Sequence, residues 1–353
     1  MAAVNKNYMY RAYFTILFLL GLSLNLTAQT IYVNPGTGAN SGDGSAARPV
    51  ASLQEAVTVA NNFTASKPIT IKLAPGLYVL NQQLKIKRTG SSDTLPYTIE
   101  AMVMPDDTDW VPAKMPVIQS VSDTNAGSLK FPHCVGVEVE RANVAIKGVK
   151  FLGNPHPALE YFYAIQRPDS TLNGLEISQC YFVADKNSMP MQGAIFAQGS
   201  NIHVDHCIFY GCKNDVLVFI GINGFSLTHS ILYGAYEAAF WYGFRQYADI
   251  PFNFSDNIVA NSNCFFVGDK GIHPTYAFHH SLITGNKYYM GINGMKLQLP
   301  DTLNKPTETR IRKTGKVLLN EITADSSPRD YLNLSPSSDG KDIDAGIFIK
   351  TKK

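Results

Sequence analysis

The stretch Val204–Gly211, VDHCIFYG, decides the fold, because it recurs. IKGVKFLG begins at Ile146, ISQCYFVA at Ile177, LTHSILYG at Leu227, FSDNIVAN at Phe254 and FHHSLITG at Phe278. The common template is apolar, two variable, small or polar, variable, apolar, variable, small. Successive copies start 31, 27, 23, 27 and 24 residues apart. A period in the twenties built from short apolar runs marks a stacked repeat in which each unit buries its face against the next.

A second apolar run follows each template: Ala194 (AIFAQG), Val216 (VLVFIG), Ala238 (AAFWYG), Cys264 (CFFVGD) and Tyr288 (YYMGIN). Each unit therefore holds about three short strands separated by glycine, asparagine and charged turns, and leaves no room for an amphipathic helix. The fold class this predicts is all-β: a parallel β-helix of three-strand coils and roughly ten rungs. Upstream, Ser52 with Glu55 three residues on opens a run of helical apolar spacing. It is read as an N-terminal α-helical cap over strand edges that would otherwise stay open.

The domain plan places a signal peptide at 1–28, a lead-in with the capping helix at 29–66, the parallel β-helix at 67–295, and an irregular loop with closing strands at 296–353. Lys6 and Arg11 precede the apolar run Ala12–Leu26, and small Ala28 marks the expected cleavage point. The run is too short for a membrane span. The expected location is therefore secreted or periplasmic. About 325 residues remain after cleavage, and the formal charge falls from +2 to zero with the loss of Lys6 and Arg11. That balance gives no basis for nucleic-acid or anionic-membrane binding. Five cysteines without metal-type spacing leave room for a disulfide but do not build a disulfide scaffold.

Equal template positions on stacked coils form columns, with coils about 4.8 Å apart. The fourth position reads Val149, Cys180, Cys207, Ser230, Asn257 and Ser281, an inward ladder of small or polar groups in which Cys207 is a core thiol. The third reads Gly148, Gln179, His206, His229, Asp256 and His280. A metal or proton-transfer row would use such residues; so would a turn stack satisfying backbone groups, and the turn stack is the preferred reading. Asp205, His206 and Cys207 are thus read mostly as wall.

Beside the second run, successive units place Glu160, Gln192, Asp215, Glu237, Asn263 and Lys287. Asp215 and Glu237 are expected to stack on adjacent coils, where two carboxylates raise one another's pKa or share a cation. Calcium suits clustered carboxylate and carbonyl oxygens; a raised carboxyl suits general acid catalysis of glycoside cleavage. Lys213, Arg245, Lys270 and Lys287 are the basic side chains in the neighbouring loops. The aromatic stretch Tyr233–Tyr247 offers flat rings with polar tips to sugar faces: Tyr236, Trp241 and Tyr242, with Phe219 expected in one outward column with Trp241. The same loop could instead fold over the strand face as a second small core.

The chain resembles secreted right-handed parallel β-helix proteins of the pectate-lyase-like superfamily. Three stretches carry the resemblance: Ile31–Val57 as the N-terminal lead-in, the repeats as coils, and Asp330–Phe348 (DYLNLSPSSDGKDIDAGIF) as the closing motif. VDHC is similar to the W-I-D-H-C stretch of pectate lyases, outside their catalytic groove, with His203 in place of the tryptophan. The resemblance implies a calcium aspartate at Asp215; Leu217 and Val218 stand where a second would follow. It also implies an arginine or lysine base for β-elimination. The expected function is carbohydrate-active: cleavage of an acidic polysaccharide, as a monomer, by a lyase or hydrolase reaction. Glu237, Arg245, Lys213 and Lys270 are the candidate catalytic groups, Asp215 the calcium ligand, and Phe219, Trp241, Tyr242 and Tyr236 the sugar-binding rings. The alternative is a non-catalytic glycan-binding or scaffold β-helix of the cell envelope.

Overall fold

The computed structural model describes residues 29–64, 66–87, 94–127, 129–243, 252–269, 277–293, 307–321 and 328–349. Residues 1–28, with the expected leader, Arg245 and Lys270 lie outside these.

The template copies fold as two short strands with a bend between them, except the last, where one strand, Ala277–Thr284, runs through the bend. Val204 lies in the strand Ser200–Asp205, and Ile208–Tyr210 follows the bend. The bend needs a left-handed residue at the third template position. Gln179 (φ 51°), His206 (48°), His229 (48°), Asp256 (58°) and His280 (37°) all adopt it, and Gly148 does so at 67°. Only glycine reaches that region freely, with Asn, Asp and His the best of the rest.

Stacking is parallel throughout. Ile146, Ile177, Val204, Leu227, Phe254 and Phe278 lie directly over one another. Ten strands pair in series on this face, from Gln29–Val33 to Thr307–Arg312. The third-strand series (from Gly76–Leu80 onward) joins it in one 17-stranded sheet, because Ala277–Thr284 pairs with both. The second apolar runs form a separate 8-stranded sheet, from Leu84–Ile86 to Tyr288–Asn293. The architecture is the expected parallel β-helix. Parallel pairing begins at Gln29 and reaches Arg312, a wider span than the 67–295 assigned from the repeats.

The interior column behaves as its residue types require. Ser230 Oγ accepts from Cys207 N at 3.1 Å, Asn257 Oδ1 from Ser230 N at 2.9 Å, and Ser281 Oγ from Asn257 N at 3.0 Å. The polar groups of this column are thus paired, as burial demands. Phe151, Phe182 and Phe209 stack at 5.1 and 4.9 Å beside them. All five cysteines are free and buried, and burial pushes the Cys207 thiol up.

The cap forms as expected. The helix Leu53–Asn61 starts at Ser52, whose Oγ accepts from Glu55 N, and buries Leu53, Ala56, Val57 and Ala60. Asn61 bonds Lys85 O and Lys87 N, covering the first strand of the 8-stranded sheet. The C-terminal segment does not stack as further rungs. It lies along the outside of the third-strand series, where Val317, Leu332, Ile343 and Ile347 pack on Ile208, Ile231, Ile258 and Leu282.

Candidate functional site

The 8-stranded sheet carries the acid, base and ring candidates, but its register differs by two residues from the one that would stack Asp215 on Glu237. Tyr210 aligns with Tyr233, whereas Asn214 aligns with Ala238. The turn after Tyr233 is therefore one residue longer than the turn after Tyr210. In this register Glu237 neighbours Lys213, and Asp215 sits beside Ala239.

Asp215 points into the coil and is 0% exposed. Neither carboxyl oxygen has a hydrogen-bond partner. Burial holds its pKa well above the usual carboxylate range, with the Cys212 thiol pulling weakly the other way. The calcium assignment at Asp215 is corrected on this geometry: a hard cation needs several oxygen ligands, and the carboxyl faces an apolar column with Ala194 and Ala239 as its neighbours on the adjacent coils. The expected Asp215–Glu237 pair is likewise replaced.

The group that does assemble is Lys213, Glu237, Asn214 and Gln192. Lys213 Nζ donates to Gln192 Oε1 at 2.9 Å and lies 3.6 Å from Glu237 Oε2. Asn214 Nδ2 donates to Glu237 Oε2 at 2.9 Å and to Gln192 O at 3.0 Å. Asn263 Nδ2 donates to Glu237 O at 3.3 Å. Lys213 and Glu237 side chains remain 30% and 20% exposed, so both reach solvent. Lys213 also stands 5.8 Å from the Tyr161 ring. Hydrogen bonding with Glu160 raises the Tyr161 hydroxyl, with burial and Glu237 adding to it. Asn214, which immediately precedes Asp215, was missed from sequence.

The rings divide. Trp241 is partly exposed on the outer face, packed with Ala238, Cys264 and Val267. Phe219 is not in its column: Leu217 is, and Phe219 meets Trp241 diagonally, edge to face at 5.7 Å. The row continues through Phe196 (5.3 Å from Phe219) to Tyr163 (5.4 Å from Phe196). Tyr242 is corrected: it is fully buried among Phe225, Phe240 and Phe252. Lys186 lies 5.4 Å over the Tyr236 ring. Burial, with Cys212 and Glu237 nearby, pushes the Tyr236 hydroxyl up to about 12. Lys287 is exposed and sits against Tyr288, apart from the cluster.

No family model and no curated protein matches the sequence. Among solved structures, similarity is found to a rhamnogalacturonan lyase (14% identity, TM-score 0.46, covering 75% of this chain and 70% of that one). It is also found to pectin methylesterase PemA from Erwinia chrysanthemi (11%, 0.41, 88% and 94%). A third is the GH136 lacto-N-biosidase from Eubacterium ramulus (9%, 0.38, 85% and 69%). No helix among the described residues is long and apolar enough to cross a membrane.

Proposed function

We propose that this chain is a carbohydrate-active β-helix protein that takes an acidic polysaccharide along the 8-stranded sheet and cleaves it beside Glu237. The observation that carries the reading is the solvent-reaching Lys213–Glu237 pair, fixed by Gln192 and Asn214, next to the partly exposed rings Phe219 and Trp241. Lys213 supplies a cation for a uronate carboxylate, and Glu237 moves a proton at the bond being broken. Phe219 and Trp241 give apolar surface to a sugar ring. Secretion through the leader at 1–28 belongs to the same proposal.

One observation favours the non-catalytic alternative. Tyr163, Phe196 and Leu217 are buried beneath the outer face with Phe219 and Trp241 packed against them, so part of the aromatic row is a small outer core. The experiment is incubation of the mature protein with a polysaccharide panel, with and without calcium. Unsaturated products absorbing in the ultraviolet identify a lyase, and new reducing ends without that absorbance a hydrolase. Binding without any product, unchanged in Glu237→Gln, replaces the enzyme by the glycan-binding protein.

A further inference from the structure

The segment that leads into the strand Cys134–Val139 is pinned to the outer face of the 8-stranded sheet. Ala126 forms an antiparallel bridge with His133, and Asn125 N donates to His133 O at 3.1 Å. Asn125 Oδ1 accepts from Val135 N at 2.9 Å, and Asn125 Nδ2 donates to Ser122 Oγ at 2.8 Å. His133 is fully buried, and its Nδ1 donates to Phe131 O at 2.9 Å. The backbone around Phe131 is therefore fixed. Two large apolar side chains of this segment part company. Leu129 packs on the outer core of Val135, Tyr163, Phe196 and Leu217, whereas Phe131 stays 39% exposed.

A single exposed ring is ordinary on a protein surface, but Phe131 has company. The half-buried Tyr161 ring lies 4.9 Å away at 57°, and Lys213 Nζ stands 5.8 Å from the centre of that ring. Glu160 holds the Tyr161 hydroxyl by a hydrogen bond. Lys130, next to Phe131 in the chain, is exposed. Each ring thus has a lysine beside it, one in space and one in sequence. The register puts this group in line with the Lys213–Glu237 pair. Tyr161, Gln192, Lys213 and Glu237 each stand immediately before their strand on successive coils, and Phe131 enters one coil earlier. From the strand after Phe131 to the strand after Glu237 is four coil steps, about 19 Å at about 4.8 Å each.

We infer that Phe131 and Tyr161 form a second sugar-binding platform, which takes a uronate residue of the polysaccharide at the far end of the rim from Glu237. This rests on the carbohydrate reading above and adds to it the direction of the bound chain, parallel to the coil stack. An aromatic ring offers apolar area to one face of a sugar, and a lysine beside it answers the uronate carboxylate with a charge-assisted hydrogen bond. The fixed backbone strengthens the contact, because a side chain already ordered loses less entropy on binding.

The test is calorimetry of the mature protein with hexasaccharides of galacturonate, glucuronate and mannuronate, and with a neutral galactose hexasaccharide. At least one uronate chain should bind, and the neutral chain should bind more weakly. Phe131→Ala should weaken uronate binding about 5- to 10-fold, and Phe131→Trp, which keeps a ring, should not. Both variants should hold the wild-type urea midpoint, since the side chain is exposed. Lys130→Gln should flatten the loss of affinity with added salt. Unchanged affinity in Phe131→Ala overturns the platform and leaves the Glu237 site standing. Failure of the wild type to bind any of the three uronate chains overturns the carbohydrate reading and the platform together. A neutral chain bound as tightly as the uronates overturns the choice of an anionic sugar. Ring-proton spectra of the wild type need no variant to fold: the bound chain should move the Phe131 and Tyr161 resonances, and movement confined to Trp241 overturns the platform too.

Discussion

Replacing Asp215 by alanine should make the protein more stable as pH rises, relative to wild type. The carboxyl is 0% exposed, has no hydrogen-bond partner and is held well above its ordinary pKa by burial. A group whose folded pKa is raised contributes its full stabilising effect below the unfolded pKa, 3.8 for this residue. That contribution is lost as pH climbs towards the folded value, because the unfolded chain releases the proton first. The loss runs at about 1.4 kcal/mol per pH unit. Between pH 5 and pH 7, therefore, the stability difference should move in the variant's favour, by about 1.4 kcal/mol for each pH unit that lies below the folded value. The packing cost of the change is nearly independent of pH, and alanine continues the column of Ala164, Ala194 and Ala239. Urea unfolding of both proteins at pH 5, 6, 7 and 8, with circular dichroism as the signal, gives the difference directly. A difference that stays constant across that range refutes the reasoning, since the carboxyl would then be ionised inside the fold. Calcium that stabilises the wild type and not the variant would refute it as well and restore a cation to this position.

Asn257→Ala should cost about 2–5 kcal/mol in urea unfolding, because it strands Ser230 N and Leu227 O, now bonded at 2.9 and 2.7 Å inside the coil; a cost under about 1 kcal/mol counts against the polar ladder. His229 is raised above its ordinary 6.5, first by its hydrogen bond to Asp205. Its stabilising contribution is thus complete below pH 6.5 and fades as pH rises through the folded value; NMR titration should show a midpoint above 6.5 that drops in Asp205→Asn. If the chain cleaves polysaccharide, Glu237→Gln should lower the rate about 10²- to 10⁴-fold with the urea midpoint unchanged. Trp241→Ala should weaken glycan affinity about 5- to 10-fold, in line with about 1 kcal/mol for one ring face, and unchanged affinity by calorimetry argues that this ring serves only the outer core.

The repeat made the coil legible because a bend between two strands constrains residue type at fixed positions. The third template position must be left-handed, and the fourth must be small or self-satisfying inside the coil. Those demands write themselves into the sequence at every turn, so the columns through Val204 and through Cys207 were set by residue identity alone. The capping helix was equally legible, through Ser52, Glu55 and helical apolar spacing. The candidate site was not. Which residue of the next coil stands beside Lys213 depends on how many residues the intervening turn spends, and the turn from Tyr233 to Ala238 is one residue longer than that from Tyr210 to Asn214. Turn length is tolerated cheaply by the chain and leaves no periodic trace, so only the folded register brought Lys213 to Glu237. The same holds for His206 and His229. Sequence stacked them in one column, but the shared carboxylate of Asp205 and the covering C-terminal segment come from contacts between residues far apart in the chain, which geometry alone decides.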